Sequence, residues 1–348
     1  MQQSYGVQHQ SLTSIGVGIH SNDTETYKEI HHPLMVTKNN IALCFSKMGK
    51  YEKALEVYYS VEKIQTEIFG VDIPSTNNSL LCDISLCIDT QNQIGSCLYE
   101  MGKYDKAIEI YCSVEKVQSE VLGNNHASTL ATKNNIGNCL YGMEKYTEAL
   151  EVYYSVDKAK STTLPINHPS TLITKNNLGS CLYKMGIYNK ALEVYRCLDK
   201  MQSKTLGINN PSTMATKNNC GLCLSKLGKY EEALKIYYFL DKTQTECFGV
   251  NHPLTVNTKN NIGCNLYLLG KYNEALEVYN SIEKIQSRIL EVDDQSAMSV
   301  KNNIGCCLYG VGKYNEALEI YHAVDKVQTE FFAKKLFKKN HEVVLIDD

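Results

Sequence analysis

One phrase, written seven times, limits what this chain can fold into. Residues 174–195 read TKNNLGSCLYKMGIYNKALEVY, preceded by TKNNIGNCLYGMEKYTEALEVY and followed by TKNNCGLCLSKLGKYEEALKIY. Aligned on the tyrosine after the glycine-lysine turn, the copies fall at Tyr104, Tyr146, Tyr188, Tyr230, Tyr272 and Tyr314, each 42 residues after the last. Tyr51 marks an earlier copy, 53 residues before Tyr104, which leaves eleven extra residues in the first interval. A period of this length means stacked supersecondary units that share one continuous core, so a count of domains from the 348 residues would mislead.

Within a unit the apolar spacing is helical. Leu172, Leu178, Gly179, Leu182 and Met185 share one side of a first helix. Gly186 supplies a C-terminal stop, and Tyr188, Ala191, Leu192, Tyr195 and Leu198 form a second amphipathic helix. The turn Gly207-Ile208-Asn209-Asn210-Pro211-Ser212 closes the unit, with the serine beside the proline as the expected N-cap. Each unit is a helix–turn–helix hairpin that cannot bury its apolar side alone. The expected fold is all-α, a solenoid of about seven hairpins over 27–338. An irregular insertion falls near 71–90, read as a loop or a lengthened helix. The segment 25–35 reads as the end of a truncated helix and its turn. Residues 1–26 read as a disordered tail and 339–348 as a C-terminal tail.

Composition removes several function classes. A net charge of −3 argues against nucleic-acid binding, which favours a basic excess. No apolar run is long enough to span a bilayer, and the N-terminal residues lack the basic-then-apolar pattern of a secretory signal. Fourteen cysteines without such a signal point to thiols in a reducing compartment, the cytoplasm. Cys44, Cys97, Cys139, Cys181, Cys223 and Cys307 occupy one place in the repeat, with Asn265 in the sixth copy. Ligands spread one per unit cannot converge on a metal. His32, His126, His168 and His252 fall in the inter-unit turns and read as turn residues. No nucleophile–base pair or phosphate loop emerges, so neither catalysis nor a cofactor is expected.

The phrase NNLGSCLYKMGIYNKALEVY resembles the tetratricopeptide signature, with its Leu-Gly pair, turn tyrosine, alanine and aromatic. The longer period, with NHPSTL leading into TKNNLG, resembles the kinesin-light-chain subtype. The resemblance implies a right-handed superhelix whose first helices line a concave face, and a scaffold that holds a partner's extended segment there.

On a helical wheel, the side opposite the apolar arc carries one asparagine at the same place in six copies: Asn40, Asn135, Asn177, Asn219, Asn261 and Asn303, with Gln93 in the second. A carboxamide offers two N–H donors and a carbonyl acceptor, matching a peptide bond. The resemblance implies that this row clamps a ligand's main chain; bonding between neighbouring repeats is the alternative reading of the same residues. Asn138, Ser180 and Leu222 share the face, and Lys47, Lys184 and Lys226 give it a weak preference for an acidic segment, which Asp89 and Glu100 oppose. The expected ligand is an extended peptide, with no nucleic acid and no membrane. The preceding asparagine of each pair is assigned a structural role, and the lysine before it a buried stem with its charge at the rim.

Overall fold

The computed structural model describes residues 21–69, 81–287 and 295–344, with side chains over 32–68, 85–287 and 295–330. Among the described residues there are fourteen helices and no strand: α1 (Ser21–Lys47), α2 (Tyr51–Phe69), α3 (Leu81–Glu100), α4 (Tyr104–Val121), α5 (Ala127–Gly142), α6 (Tyr146–Thr163), α7 (Pro169–Lys184), α8 (Tyr188–Thr205), α9 (Pro211–Lys226), α10 (Tyr230–Phe248), α11 (Pro253–Leu268), α12 (Tyr272–Gln286), α13 (Gln295–Val311) and α14 (Tyr314–Val344). Every second helix of a pair begins at the periodic tyrosine. The fold is the expected all-α array of seven helix–turn–helix repeats.

The chain divides into two compact bodies, residues 1–143 and 144–348. In the first, α1 to α5 pack each on the next; in the second, α6 to α14 do the same. Both cores follow one recipe. In the second body Ala191, Leu192, Tyr195 and Leu198 of α8 bury against Leu172, Leu178 and Leu182 of α7, and the set recurs 42 residues on in α9 and α10.

The glycine two residues after the end of α7 closes that helix as a Schellman motif. Gly186 takes φ +77°, its N–H donates to the Tyr183 carbonyl at 3.0 Å, and the Ile187 N–H donates to Leu182 at 2.9 Å. A different glycine serves packing. A Cβ on Gly179 would lie 2.8 Å from the Tyr195 ring, and one on Gly221 would lie 2.6 Å from that of Tyr237. The Leu-Gly of the phrase is therefore a seat for the tyrosine of the second helix.

Three details depart from the sequence reading. The cap before Pro169 and Pro211 is not the serine. His168 Nδ1 accepts from the Ser170 N–H at 3.3 Å and Asn210 Oδ1 from the Ser212 N–H at 2.9 Å, so the serines supply only backbone donors. The proline fills N1, where no N–H is needed, and the residue before it is left to cap. His126 and His252 act alike at 3.2 Å each. Second, the turn expected within 25–35 is not made: α1 runs from Ser21 through Pro33 to Lys47, so His32 is a helix residue and not a turn residue. The helix thus covers the end of the segment read as a tail, whose first twenty residues lie outside the described ones. Third, α14 continues to Val344, past the boundary set at 338. The insertion resolves in part as a lengthened helix, α3 having 20 residues where α5, α7, α9 and α11 have 16; residues 70–80 lie outside the described ones.

Candidate functional site

The TKNN that opens the phrase in α5, α7, α9 and α11 ties each of those repeats to the one before it. In α9, Thr216 donates to Gln202 of α8 at 2.6 Å, and Lys217 pairs with Asp199 of α8 at 2.8 Å. In α11, Thr258 donates to Gln244 at 2.7 Å, and Lys259 pairs with Asp241 at 2.9 Å. In the first body Thr132 bonds Gln118 at 2.7 Å and Lys133 meets Glu115 at 3.2 Å. The lysine stems lie along the packing surface as expected. Their ammonium groups, however, meet a carboxylate of the preceding helix rather than a solvated rim, a partner that a single-repeat helical wheel does not reveal. The threonines escaped the sequence reading altogether, although Thr-Leu-x-Thr recurs at helical spacing.

The asparagine pair follows. Asn261 donates to Asn218 at 3.1 Å, and Asn303 donates to Asn260 at 3.5 Å. The first asparagine of one repeat thus receives a bond from the second asparagine of the next. The structural role assigned to the first is seen at Asn218 and Asn260. The second takes part in inter-repeat bonding at Asn261 and Asn303, the alternative its sequence position left open. One such bond uses one of the amide's two N–H groups.

These carboxamides lie mid-stripe on the first helices. Asn135, Asn177, Asn219, Asn261 and Asn303 are half-buried and Asn40 is exposed. In α7 the stripe runs Ile173, Asn177, Ser180, Lys184, with the ends exposed and the middle half-buried. In α9 it runs Ala215, Asn219, Leu222, Lys226 in the same pattern, while Asn138 in α5 is half-buried and Lys47 in α1 exposed. The stripe is solvent-reaching and mostly neutral, with Lys184 and Lys226 as its cations in α7 and α9.

At the next position of the stripe some repeats place a partner for the tyrosine hydroxyl fifteen residues on. Ser180 Oγ and Tyr195 Oη lie 3.0 Å apart, and Tyr321 Oη donates to Cys306 Sγ at 3.4 Å. Where that position is Leu43, the buried Tyr58 hydroxyl has no hydrogen-bond partner. Burial, with the thiols of Cys97 and Cys44 nearby, pushes the Tyr58 phenol up to about 12.

Among the described residues of the first body, this face carries two hollows. One, of about 420 Å³, is lined by Val36, Asn39, Asn40, Leu43, Tyr58, Leu86, Asp89 and Gln93. The other, of about 290 Å³, is lined by Asn92, Gln93, Ser96, Tyr99, Glu100, Tyr111, Asn135 and Asn138. They share Gln93. Desolvation holds the Asp89 carboxyl above the usual range.

The periodic cysteines behave as small core residues. Cys97, Cys139, Cys181, Cys223 and Cys307 are fully buried, Cys44 in the first repeat is exposed, and burial raises the Cys139 and Cys181 thiols to about 12. Asn265 replaces the cysteine by bonding on both sides: it accepts from Ser225 at 2.8 Å and donates to the Asn261 carbonyl at 2.8 Å. Among the described residues no group of three or more His, Cys, Asp or Glu is placed to hold a metal ion, and no helix is long and apolar enough to cross a membrane.

These hairpins, joined by polar ties and carrying an open carboxamide stripe, define an all-α repeat scaffold. Tetratricopeptide-repeat family models match residues 37–67, 86–156 and 170–238, and the chain is a tetratricopeptide-repeat protein. Among curated proteins no sequence matches. Solved structures similar in fold include the nearly identical TPR-like repeats of a kinesin light chain-like protein from Podosopora anserina (21% identity, TM-score 0.54, 59% of this chain and 98% of that one). The apo form of RapI matches at 12% identity and TM-score 0.56, over 86% of this chain and 99% of its own. A signal-transduction ATPase with a tetratricopeptide-repeat sensor from Pyrococcus horikoshii matches at 14% and 0.66, over 90% of this chain and 45% of its own. At these identities the likeness concerns the fold.

Proposed function

We propose that this chain is a non-catalytic adaptor that holds an extended segment of a partner protein along the stripe of its first helices. Proteins of this repeat are generally protein-interaction scaffolds. The observation that carries the reading is the periodic, solvent-reaching carboxamide: Asn177, Asn219, Asn261 and Asn303 recur at one place per repeat with half-buried side chains. An extended peptide offers a C=O or N–H at regular intervals, and a row of amides answers it without demanding a side chain. Each bond contributes about 1 kcal/mol net, so affinity needs several at once. The bonds of Asn261 to Asn218 and Asn303 to Asn260 fit this role, because they fix the planes of the amides that face the ligand. Lys184 and Lys226 favour acidic residues in the segment over α7 and α9. Cargo attachment of the kinesin-light-chain kind and complex assembly are the tasks such a cytoplasmic adaptor would serve.

The test is capture of partner peptides on an array, followed by the double substitution Asn177→Ala/Asn219→Ala. Binding should weaken tenfold or more with helicity unchanged; unchanged affinity would remove the clamp. One observation favours a second reading, a scaffold that assembles through its end: Tyr309, Tyr314 and Leu318 are each more than half exposed on α13 and α14. A mass that rises with concentration, and that falls back with Leu318→Lys, would favour assembly.

A further inference from the structure

The hydroxyl of Tyr58 is the anomaly of the first repeat. Tyr58 is fully buried, lines the 420 Å³ hollow between α1 and α3, and its Oη has no hydrogen-bond partner. Leaving a buried hydroxyl unpaired costs about 1–3 kcal/mol, so such a group calls for a partner. Two local substitutions produce it. Leu43 stands where Ser180 supplies a hydroxyl to Tyr195. Ala42, itself fully buried, stands where the other repeats keep the glycine that seats the ring, and its Cβ excludes Tyr58 from that close seat.

The rest of the lining shows what is missing. Asn39 spends its Nδ2 on Thr90 at 3.0 Å, which leaves its buried Oδ1 without a donor. Asp89 adds an exposed carboxylate, and the carboxamides of Gln93 and Asn40 add carbonyls together with N–H groups. Val36, Leu43 and Leu86 form an apolar wall beside these acceptors. Farther along the same face of α3, eleven residues and roughly 16 Å from Asp89, stands Glu100. The hollow is rich in acceptors, negative, and apolar on one side. A carboxylate ligand would meet Asp89 and leave Asn39 Oδ1 unanswered. A guanidinium brings five N–H donors in a planar fork and a methylene stem for the apolar wall.

We propose that the hollow between α1 and α3 is a pocket for an arginine side chain of the partner segment, with Asp89 as its counter-charge and Asn39 Oδ1 and Tyr58 Oη as acceptors. The proposal rests on the groove reading above and reverses, over this repeat, the acidic preference drawn from Lys184 and Lys226. The basic residue of the partner is presented to α1 and α3, while the acidic preference drawn from Lys184 and Lys226 belongs to the second body alone.

The test uses the full chain, ¹⁵N-labelled, titrated with Nα-acetyl-arginine methylamide and with its neutral isostere, Nα-acetyl-citrulline methylamide. The arginine probe should give saturable amide shifts confined to α1 and α3, with the citrulline probe at least fivefold weaker. Asp89→Asn should weaken the arginine probe fivefold or more. Leu43→Ser, which gives Tyr58 the hydroxyl partner that Tyr195 already has, should weaken it as well while leaving the fold intact. Absence of saturable shifts, equal response to both probes, or indifference to both substitutions would overturn the pocket. The Asn177→Ala/Asn219→Ala variant separates the two readings. If it leaves partner binding unchanged while the arginine probe saturates, the clamp falls and the pocket stands; the reverse result removes the pocket alone.

Discussion

At the scale of the residue, the most informative position is the one where the repeat breaks its own rule. Gln118, Gln202 and Gln244 each accept a bond from the threonine of the following TKNN; at the same place α6 carries Lys160. Its Nζ donates to Thr174 Oγ1 at 2.8 Å and to the Ser170 carbonyl at 3.0 Å, with the residue buried. Burial draws the ammonium down to about 8, against a smaller opposing pull from Asp157. Because the folded value lies below that of the unfolded chain, between the two the unfolded state binds more protons. Stability therefore rises with pH through that window, and below about 8 the full cost of the buried charge is present. Lys160→Gln restores the neutral pair and should stabilise the second body at pH 7 by roughly 2 kcal/mol, a gain of about 5 °C in Tm that shrinks above pH 9. A Tm unchanged or lowered at pH 7 would mean that the two oxygens already compensate the charge. The wheel could show that lysine, threonine and asparagine recur. It could not assign them partners, because each partner sits on the neighbouring repeat, 14, 18 or 43 residues away.

The helices and their ends were the most legible level, since glycine and tyrosine spacing mark both the stops and the starts. The cap was misassigned because serine is the usual N-cap type, whereas Pro at N1 shifts the role one residue back, to His168 or Asn210. Two predictions belong here. Gly221→Ala should destabilise by about 2 kcal/mol in urea unfolding, even though alanine is the better helix former, because the new Cβ would lie 2.6 Å from the ring of the buried Tyr237. A neutral or stabilising outcome would show that the ring can retreat to make room. Glu144 is the opposite case. It holds the left-handed turn position, φ +61°, that Gly49, Gly102, Gly186, Gly228, Gly270 and Gly312 fill elsewhere. Glu144→Gly should raise stability by about 1 kcal/mol in a thermal melt, and a loss would mean that its side chain compensates the strain.

For the whole chain, periodicity foretold the number of units but not how unequal they are. Each repeat is covered by its neighbours, so stability is close to a sum of nearest-neighbour terms, and a repeat whose outer side is exposed lacks one of them. The second body displays the consequence along equivalent positions. Leu192 and Leu234 are buried at 5% and 7% exposure, while their counterpart Leu318 in α14 is 53% exposed. Tyr195, Tyr237 and Tyr279 are buried and Tyr321 only half-buried. Local opening should therefore be easiest at that end. Amide hydrogen exchange is expected to show protection in the first turns of α14 at least tenfold below that in α10. Leu318→Lys should shift the unfolding midpoint little, whereas Leu234→Lys places an unpaired charge in the packed core and should cost several kcal/mol. Equal protection in α10 and α14, together with equal sensitivity at the two leucines, would mean that the body unfolds as one cooperative block. The repeats would then not act as separable bricks, and a ligand bound along α7 and α9 would stabilise the distant α14 as much as the helices it touches.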